Sequence, residues 1–174
     1  MKEIRKATET DIDGIVKIYD ALHDLEESGK GVTGWERGVY PTRKTAVTAV
    51  ALSDMFVYEE NGDILASGRI NREQVDVYSG VPWIFSASDD EVMVLHTLAV
   101  HPRAKGRGIG TAFVAFYEKF ARESGCTVLR IDTNERNIPA RTLYKKLGYR
   151  EAATVPCVFN GISGVGLVCI EKKL

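Results

Sequence analysis

Residues 95–111 read LHTLAVHPRAKGRGIGT, and the fold turns on them. The segment from Val92 to Val100 is almost continuously apolar, as expected of a strand buried on both faces. A turn with Gly106, Gly108 and Gly110 follows, and a helical stripe of Ile109, Phe113, Phe116 and Phe120 begins at once. Glycines allow successive backbone N–H groups to converge, and a helix N-terminus adds positive partial charge. Strand, glycine turn and helix in that order predict a cradle for a phosphate-type anion, ringed by Arg103, Lys105 and Arg107.

What the loop lacks narrows the ligand. The phosphate loop GxxxxGK[ST] is absent. A dinucleotide fingerprint counted from Gly106 and Gly108 would need Gly or Ala where Thr111 stands, and belongs to a first βα unit. The nucleophile elbow GxSxG fails at Val165 in GISGV, a string better suited to a hairpin.

Outward from the loop, strand and helix signals alternate without repeats. Ile4 to Ala7 predicts a strand, Thr8 an N-cap, and residues 10–27 an amphipathic helix. The stretch SGKGVTGWERGVYP, residues 28–41, reads as a functional loop, and Thr42 to Leu52 as a second helix. Met55–Glu60 and Ile64–Ile70 flank Asn61-Gly62, a strong hairpin signal. Between 71 and 90, Val75, Val77 and Tyr78 suggest a strand, whereas Gly80, Pro82 and residues 86–90 suggest loop. After Gly125 come a strand at Val128–Ile131, a helix opened by Pro139 and closed by Gly148, and strands near 149–158 and 165–172 around Asn160-Gly161. The expected order is β-α-α-β-β-β-α-β-α-β-β, a mixed α/β sheet in one domain over residues 1–174.

Composition agrees with a globular chain: 174 residues, 44% hydrophobic, 27% charged, net charge −1. The near-zero charge gives no sign of nucleic acid or membrane, yet it hides a segregation. Residues 1–100 carry 10 basic against 18 acidic groups, and residues 101–150 carry 11 against 4. A basic segment in a neutral chain suggests a local anionic ligand. Cys126, Cys157 and Cys169 have no metal-type spacing, and the opening MKEIRKATETDIDG has no apolar core. These features read as a soluble, cytoplasmic protein with reduced thiols and no metal.

LAVHPRAKGRGIG followed by NIPARTLYKKLGY resembles the GNAT superfamily of acetyl-coenzyme-A-dependent N-acetyltransferases. The family loop, Q/R-x-x-G-x-G/A, fits in two registers: Arg103 with Gly106 and Gly108, or Lys105 with Gly108 and Gly110. The second keeps the family's distance from the strand end and is preferred. The resemblance implies a mixed, mostly antiparallel sheet flanked by helices. It also implies that Leu98, Ala99 and Val100 pair with the pantetheine arm of acetyl-coenzyme A. Lys105, Gly106, Arg107, Gly108, Ile109, Gly110 and Thr111 would hold the pyrophosphate, with Asn137 and Ala140 beside the arm and Tyr144 near the sulfur. The acceptor it implies is the primary amine of a small molecule or peptide; a homodimer is compatible with it.

Acetyl transfer to an amine requires a proton acceptor, donors for the tetrahedral oxyanion, and a proton or hydrogen bond for the departing thiolate. Tyr144 suits the thiolate, since a phenol stays protonated at neutral pH. His96, two residues before Leu98 and so expected on the same strand face, is the candidate base, with Glu36, Asp90, Glu91 or water as alternatives. Trp35 and Tyr40, with Trp83 as an outsider, are candidates for the acceptor pocket. His23 and His101 read as structural or exposed. The rival reading is a non-catalytic acyl-coenzyme-A sensor that has kept the cradle.

Overall fold

In a computed structural model describing residues 1–174, the turn signals divide the chain as expected. The elements are β1 (Lys2–Lys6), α1 (Ile12–Glu27), α2 (Arg43–Ala51), β2 (Met55–Glu60), β3 (Asp63–Asn71), β4 (Val92–Val100), α3 (Ile109–Glu123), β5 (Val128–Asn134), α4 (Ile138–Lys146), β6 (Arg150–Phe159) and β7 (Ile162–Lys173). The α1 helix starts later than its apolar periodicity suggests. Asp11 turns back to accept the Thr8 N–H at 2.7 Å and pairs with Arg5, so residues 9–11 form a 3-10 turn.

The seven strands form one sheet in the order β1-β2-β3-β4-β5-β7-β6. Every pairing is antiparallel except β4 with β5. On one face α3 and α4 pack over Met93, Leu95, Leu129 and Ile131. On the other, α1 and α2 cover Met55, Val57 and Ala99, and the 75–87 segment covers Val92, Val94 and Val128. Val92 through Leu95 are therefore buried on both sides, as their apolar run predicts.

The 75–87 segment contains no strand. Its aromatic and β-branched residues act as anchors: Tyr78 sits in a short 3-10 turn, edge-on to Trp83 at 5.2 Å, and both pack on the sheet. The fully buried carboxylate of Glu171 fixes this segment by accepting the Ile84 N–H at 2.9 Å while paired with Arg150. The α3 stripe is also rotated from expectation. Phe113 and Tyr117 are fully buried, whereas Phe116 and Phe120 are half-buried against Phe56.

Two features of β4 shape everything downstream. Its pairing with β5 runs from Val92↔Val128 to Leu95↔Ile131 and then stops, while β5 continues against β7 to Asn134↔Leu167. The two parallel strands part. Beside the parting, β4 bulges against β3: Arg69 faces His96 but Ser67 faces Ala99, and Thr97 takes φ +54°. The extra residue reverses the alternation. Leu95 packs towards α3 before the bulge and Leu98 and Val100 do so after it, while Ala99 faces α1 and α2. His96 and Leu98 consequently lie on opposite faces, contrary to simple two-residue periodicity.

Gly68 lies opposite the bulge. A Cβ there would stand 2.8 Å from Phe113 Cε1 and 3.1 Å from Leu95 Cδ1. Gly68→Val should destabilise the fold by about 1–3 kcal/mol through overpacking, read by denaturant unfolding. A midpoint equal to the parent's would show that α3 is not tightly packed there.

Candidate active site

Around the parting of β4 and β5 lie three neighbouring cavities that share lining residues. The first, about 530 Å³, is a groove bounded by Leu98–Val100, the glycine loop, the start of α3 and the residues Asn137, Ala140, Leu143 and Tyr144. Its far wall is Leu22, Leu25 and Lys30–Thr33. A narrow throat of about 90 Å³ follows, bordered by Leu95, Thr97, Leu98, Ile131–Asn134, Tyr144, Trp35 and Tyr40. Beyond it lies a polar chamber of about 300 Å³ under α2, which shares Tyr40, Thr97 and Asp132 with the throat.

The groove's loop has the chemistry of an anion cradle. Gly106 and Gly108 take φ +79° and +75°, conformations costly for other residues, and Gly108 caps α3. The N–H groups of Gly106, Gly108, Ile109, Gly110 and Thr111 have no acceptor in the protein. Gly110 is helical, and a Cβ there would meet Leu143 Cδ2 at 3.2 Å, so its small size serves α3–α4 packing. The flanking cations divide unexpectedly. Arg107 pairs with Glu60 and Arg103 with Asp63 at 3.0 Å, both on the β2–β3 hairpin. Arg107, expected at the pyrophosphate, does not line the groove; Lys105 does, and Lys30 joins it from across.

Asn137 caps α4, its Oδ1 accepting the Ala140 N–H at 3.2 Å. This fixes both residues on the groove wall. Tyr144 is 4% exposed, and its hydroxyl has no protein partner although it borders groove and throat. Burial raises its pKa, which keeps it a proton donor.

Across the throat is a residue the sequence reading passed over. Asp132, on β5, accepts the Tyr78 hydroxyl at 2.7 Å on Oδ2, while Oδ1 has no partner and faces the cavity. Burial pushes its carboxyl up to about 6, against a weaker opposing effect of the Tyr78 hydrogen bond. A carboxylate just beyond the strand signal Val128–Ile131, at the carboxyl end of that strand, was the available signal.

His96 borders the chamber and not the throat. Asn71 donates to Asp54 at 2.8 Å, so its oxygen must accept from His96 Nε2 at 2.9 Å. Nδ1 is left as the acceptor. Burial, reinforced by Arg69, lowers the His96 pKa to about 4. Trp35 and Tyr40 both border the throat, edge to face at 6.2 Å, with the Tyr40 hydroxyl on Thr97. Their loop is fastened by Glu26, which accepts the Thr33 N–H at 2.6 Å, and by His23, whose Nε2 donates to the Pro41 carbonyl at 3.0 Å. Trp83 lies elsewhere, beneath the Arg130 guanidinium. Glu36, Asp90 and Glu91 border neither throat nor chamber.

Comparison with known proteins agrees with this geometry. The family model of the acetyltransferase (GNAT) family matches residues 18–149. An uncharacterized N-acetyltransferase of Methanocaldococcus jannaschii is 26% identical over 153 residues, covering 87% of this chain and 62% of that protein. The chain thus spans somewhat less than two thirds of that relative. An uncharacterized N-acetyltransferase of Bacillus subtilis is 22% identical over 85% of this chain and 89% of its own length. A GNAT-family acetyltransferase crystal structure from Streptococcus agalactiae superposes with a TM-score of 0.80 at 21% identity, covering 99% and 95% of the two chains. The yncA protein of Salmonella typhimurium, solved with its cofactor acetyl-CoA, gives 0.71 at 19% identity, covering 99% and 94%. With β4 and β5 parted beside a glycine-capped α3, and the family model spanning most of the chain, this protein belongs to the GNAT family, whose members are acetyl-CoA-dependent acyltransferases.

Two variants separate cradle from surface charge. Gly108→Val should weaken acetyl-coenzyme A binding at least about tenfold, ~1.4 kcal/mol, in calorimetry, because a branched residue at that φ displaces the helix cap. Arg107→Ala should bind within about threefold of the parent, a change below ~1 kcal/mol. The opposite ranking would move the cradle's charge back to Arg107.

Proposed function

We propose that the protein transfers the acetyl group of acetyl-coenzyme A to a primary amine of a small molecule or peptide by direct attack, without an acyl-enzyme intermediate. The observation carrying this reading is the throat. It lies between a groove of unpartnered N–H groups and a polar chamber, with an acid and a base of divergent pKa on its walls.

Acetyl-coenzyme A would supply the activated thioester. Its pyrophosphate suits the N–H groups of Gly106 and Gly108–Thr111, with Lys105 and Lys30 nearby. Beyond Leu95, β4 has lost its β5 partner, so the edge at Leu98–Val100 can pair with the amides of the pantetheine arm. A β4 N–H on that edge would also donate to the tetrahedral oxyanion. Tyr144 would donate to the departing sulfur. Asp132 Oδ1 would take the proton from the attacking nitrogen, its Oδ2 held by Tyr78. His96, the base expected from sequence, would contribute its Nδ1 from the chamber.

Tyr144→Phe should retain acetyl-coenzyme A affinity and lose ~10²–10⁴-fold in kcat. An intact turnover would remove Tyr144 from the chemistry, and no thiol release with any amine would favour the sensor reading.

The pH profile separates the two bases. A base must be unprotonated to act, so kcat/KM falls as pH drops through its pKa. Asp132 predicts an acidic limb near about 6, and His96 one near about 4. Asp132→Asn should abolish the limb near 6 while His96→Gln leaves it in place. Amines of different pKa identify any limb that belongs to the substrate.

A further inference from the structure

The chamber under α2 is the largest feature of the site that acetyl transfer alone does not explain. Its walls come from Tyr19 of α1, Thr42, Lys44, Thr45 and Thr48 at α2, Arg69 of β3, Glu73, and His96 of β4. Several of these present unspent hydrogen-bond donors. Tyr19 is 2% exposed, and its buried hydroxyl makes no hydrogen bond of good geometry, with the equally unpartnered Ser67 hydroxyl beside it. Arg69 Nε is buried and makes no hydrogen bond: Nη2 is bound to Glu73 at 2.6 Å, and Asp54 Oδ2 stands 3.5 Å from Nε without hydrogen-bonding geometry. Lys44, exposed at the start of α2, lines the chamber and makes no ion pair.

Buried donors without acceptors are uncommon, because each forfeits its hydration without replacement. A ligand that brings oxygen acceptors to Tyr19 and Arg69 recovers that loss. Glu73 and Asp54 hold the guanidinium in place and offset its charge. Among the residues lining the chamber, Lys44 and Arg69 stand against Glu73 and an ionised Asp132, with His96 neutral, and Asp54 behind Arg69 adds one further negative charge. A ligand carrying one ammonium and one oxyanion adds no net charge to this balance. The only carboxylate on both chamber and throat is Asp132, so the ammonium end belongs there, beside the acetyl-transfer position.

The neighbouring open groove of about 490 Å³ has no such demand. Its arginines are spent on its own glutamates, Arg136 on Glu26 and Arg37 on Glu27. The chamber's about 300 Å³ sits at the small end of ligand pockets, suited to a compact molecule.

We propose that the chamber is the acceptor subsite and that the acceptor is a small primary amine bearing its own carboxylate-type oxyanion. Its amine would be presented to Asp132 through the throat, and its oxyanion held by the Tyr19 hydroxyl and the Arg69 guanidinium, with Lys44 above. This rests on the acetyl-transfer reading and names its substrate class.

The test uses matched sets: L-leucine, L-leucinamide and 3-methylbutylamine; L-phenylalanine, L-phenylalaninamide and 2-phenylethylamine; and β-alanine with propylamine. Thiol release is measured for each with the full-length protein, and so is calorimetric binding to the coenzyme-A-loaded protein. In at least one set the carboxylated member should exceed its partners by at least about tenfold in kcat/KM, ~1.4 kcal/mol of discrimination. That ratio should collapse towards one in Tyr19→Phe and in Arg69→Lys, through KM more than kcat, with the thermal midpoint of Tyr19→Phe near the parent's. Equal use of all members overturns the proposal, as does a peptide N-terminus preferred over every free amino acid, or an unchanged ratio in both variants. Binding selective for the carboxylated members without any thiol release would support the subsite while overturning acetyl transfer. Absence of both overturns both.

Discussion

The site exists because two parallel strands separate. β4 and β5 share a ladder only as far as Leu95 and Ile131, and the backbone groups beyond have lost their partners. Such an opening would be unstable in a plain sheet, since unpaired backbone groups in a core are costly. Here it is pinned from several sides. The buried Tyr117 hydroxyl contacts the carbonyls of Met93 and Arg130, at 2.6 and 3.2 Å, tying α3 to both strands just before they part. β7 keeps β5 straight to Asn134, and the bulge at Thr97 bends β4 away. Groove, throat and chamber are three parts of this one wedge.

The bulge also sorts the chemistry. By reversing the alternation of β4, it gives the α3 face Leu98 and Val100, which edge the groove, and leaves His96 on the α2 face with Tyr19 and Arg69. On the proposed reading, cofactor-side and acceptor-side functions are thereby separated on a single strand. Tyr144 and Asp132 then meet at the throat from α4 and β5. Burial acts on both in the same sense, against the charged form, with different results: it keeps the phenol protonated and brings the carboxyl within reach of neutral pH.

These arrangements were unequally legible in the sequence. Element order could be read because local signals set it: Thr8 as a cap, Asn61-Gly62 as a hairpin turn, Pro139 and Gly148 as the limits of α4. The cradle could be read because strand, glycine loop and helix are contiguous. The two-sided placement of His96 and Leu98 could not, since the bulge depends on Gly68, distant in sequence and small enough to admit Phe113. Nor does any local pattern join Asp132 to Tyr78, or Tyr19 to Arg69, because those meetings are created by sheet order. Between residues 71 and 90, β-branched and aromatic residues imitate a strand while serving as anchors on the sheet face.

Charge gives the same lesson in a sharper form. The excess of basic groups in residues 101–150 suggests an anionic ligand, but two of the three cations nearest the glycine loop are spent inside the protein. Arg103 and Arg107 reach the β2–β3 hairpin, where Asp63 and Glu60 belong to the acidic first hundred residues. The segregation along the chain is partly a folding complementarity between its two halves. What remains for a ligand is Lys105, Lys30 and a row of uncharged N–H donors. Exposed ion pairs contribute little to stability, so the arginines' main effect is to position the loop over the hairpin. In the proposed complex, fixed backbone dipoles would then supply the anion's hydrogen bonds with no side-chain ordering at the moment of binding. The cradle is therefore organised by its glycines and helix start, and the basic segment that draws attention to it in the sequence acts mostly from behind.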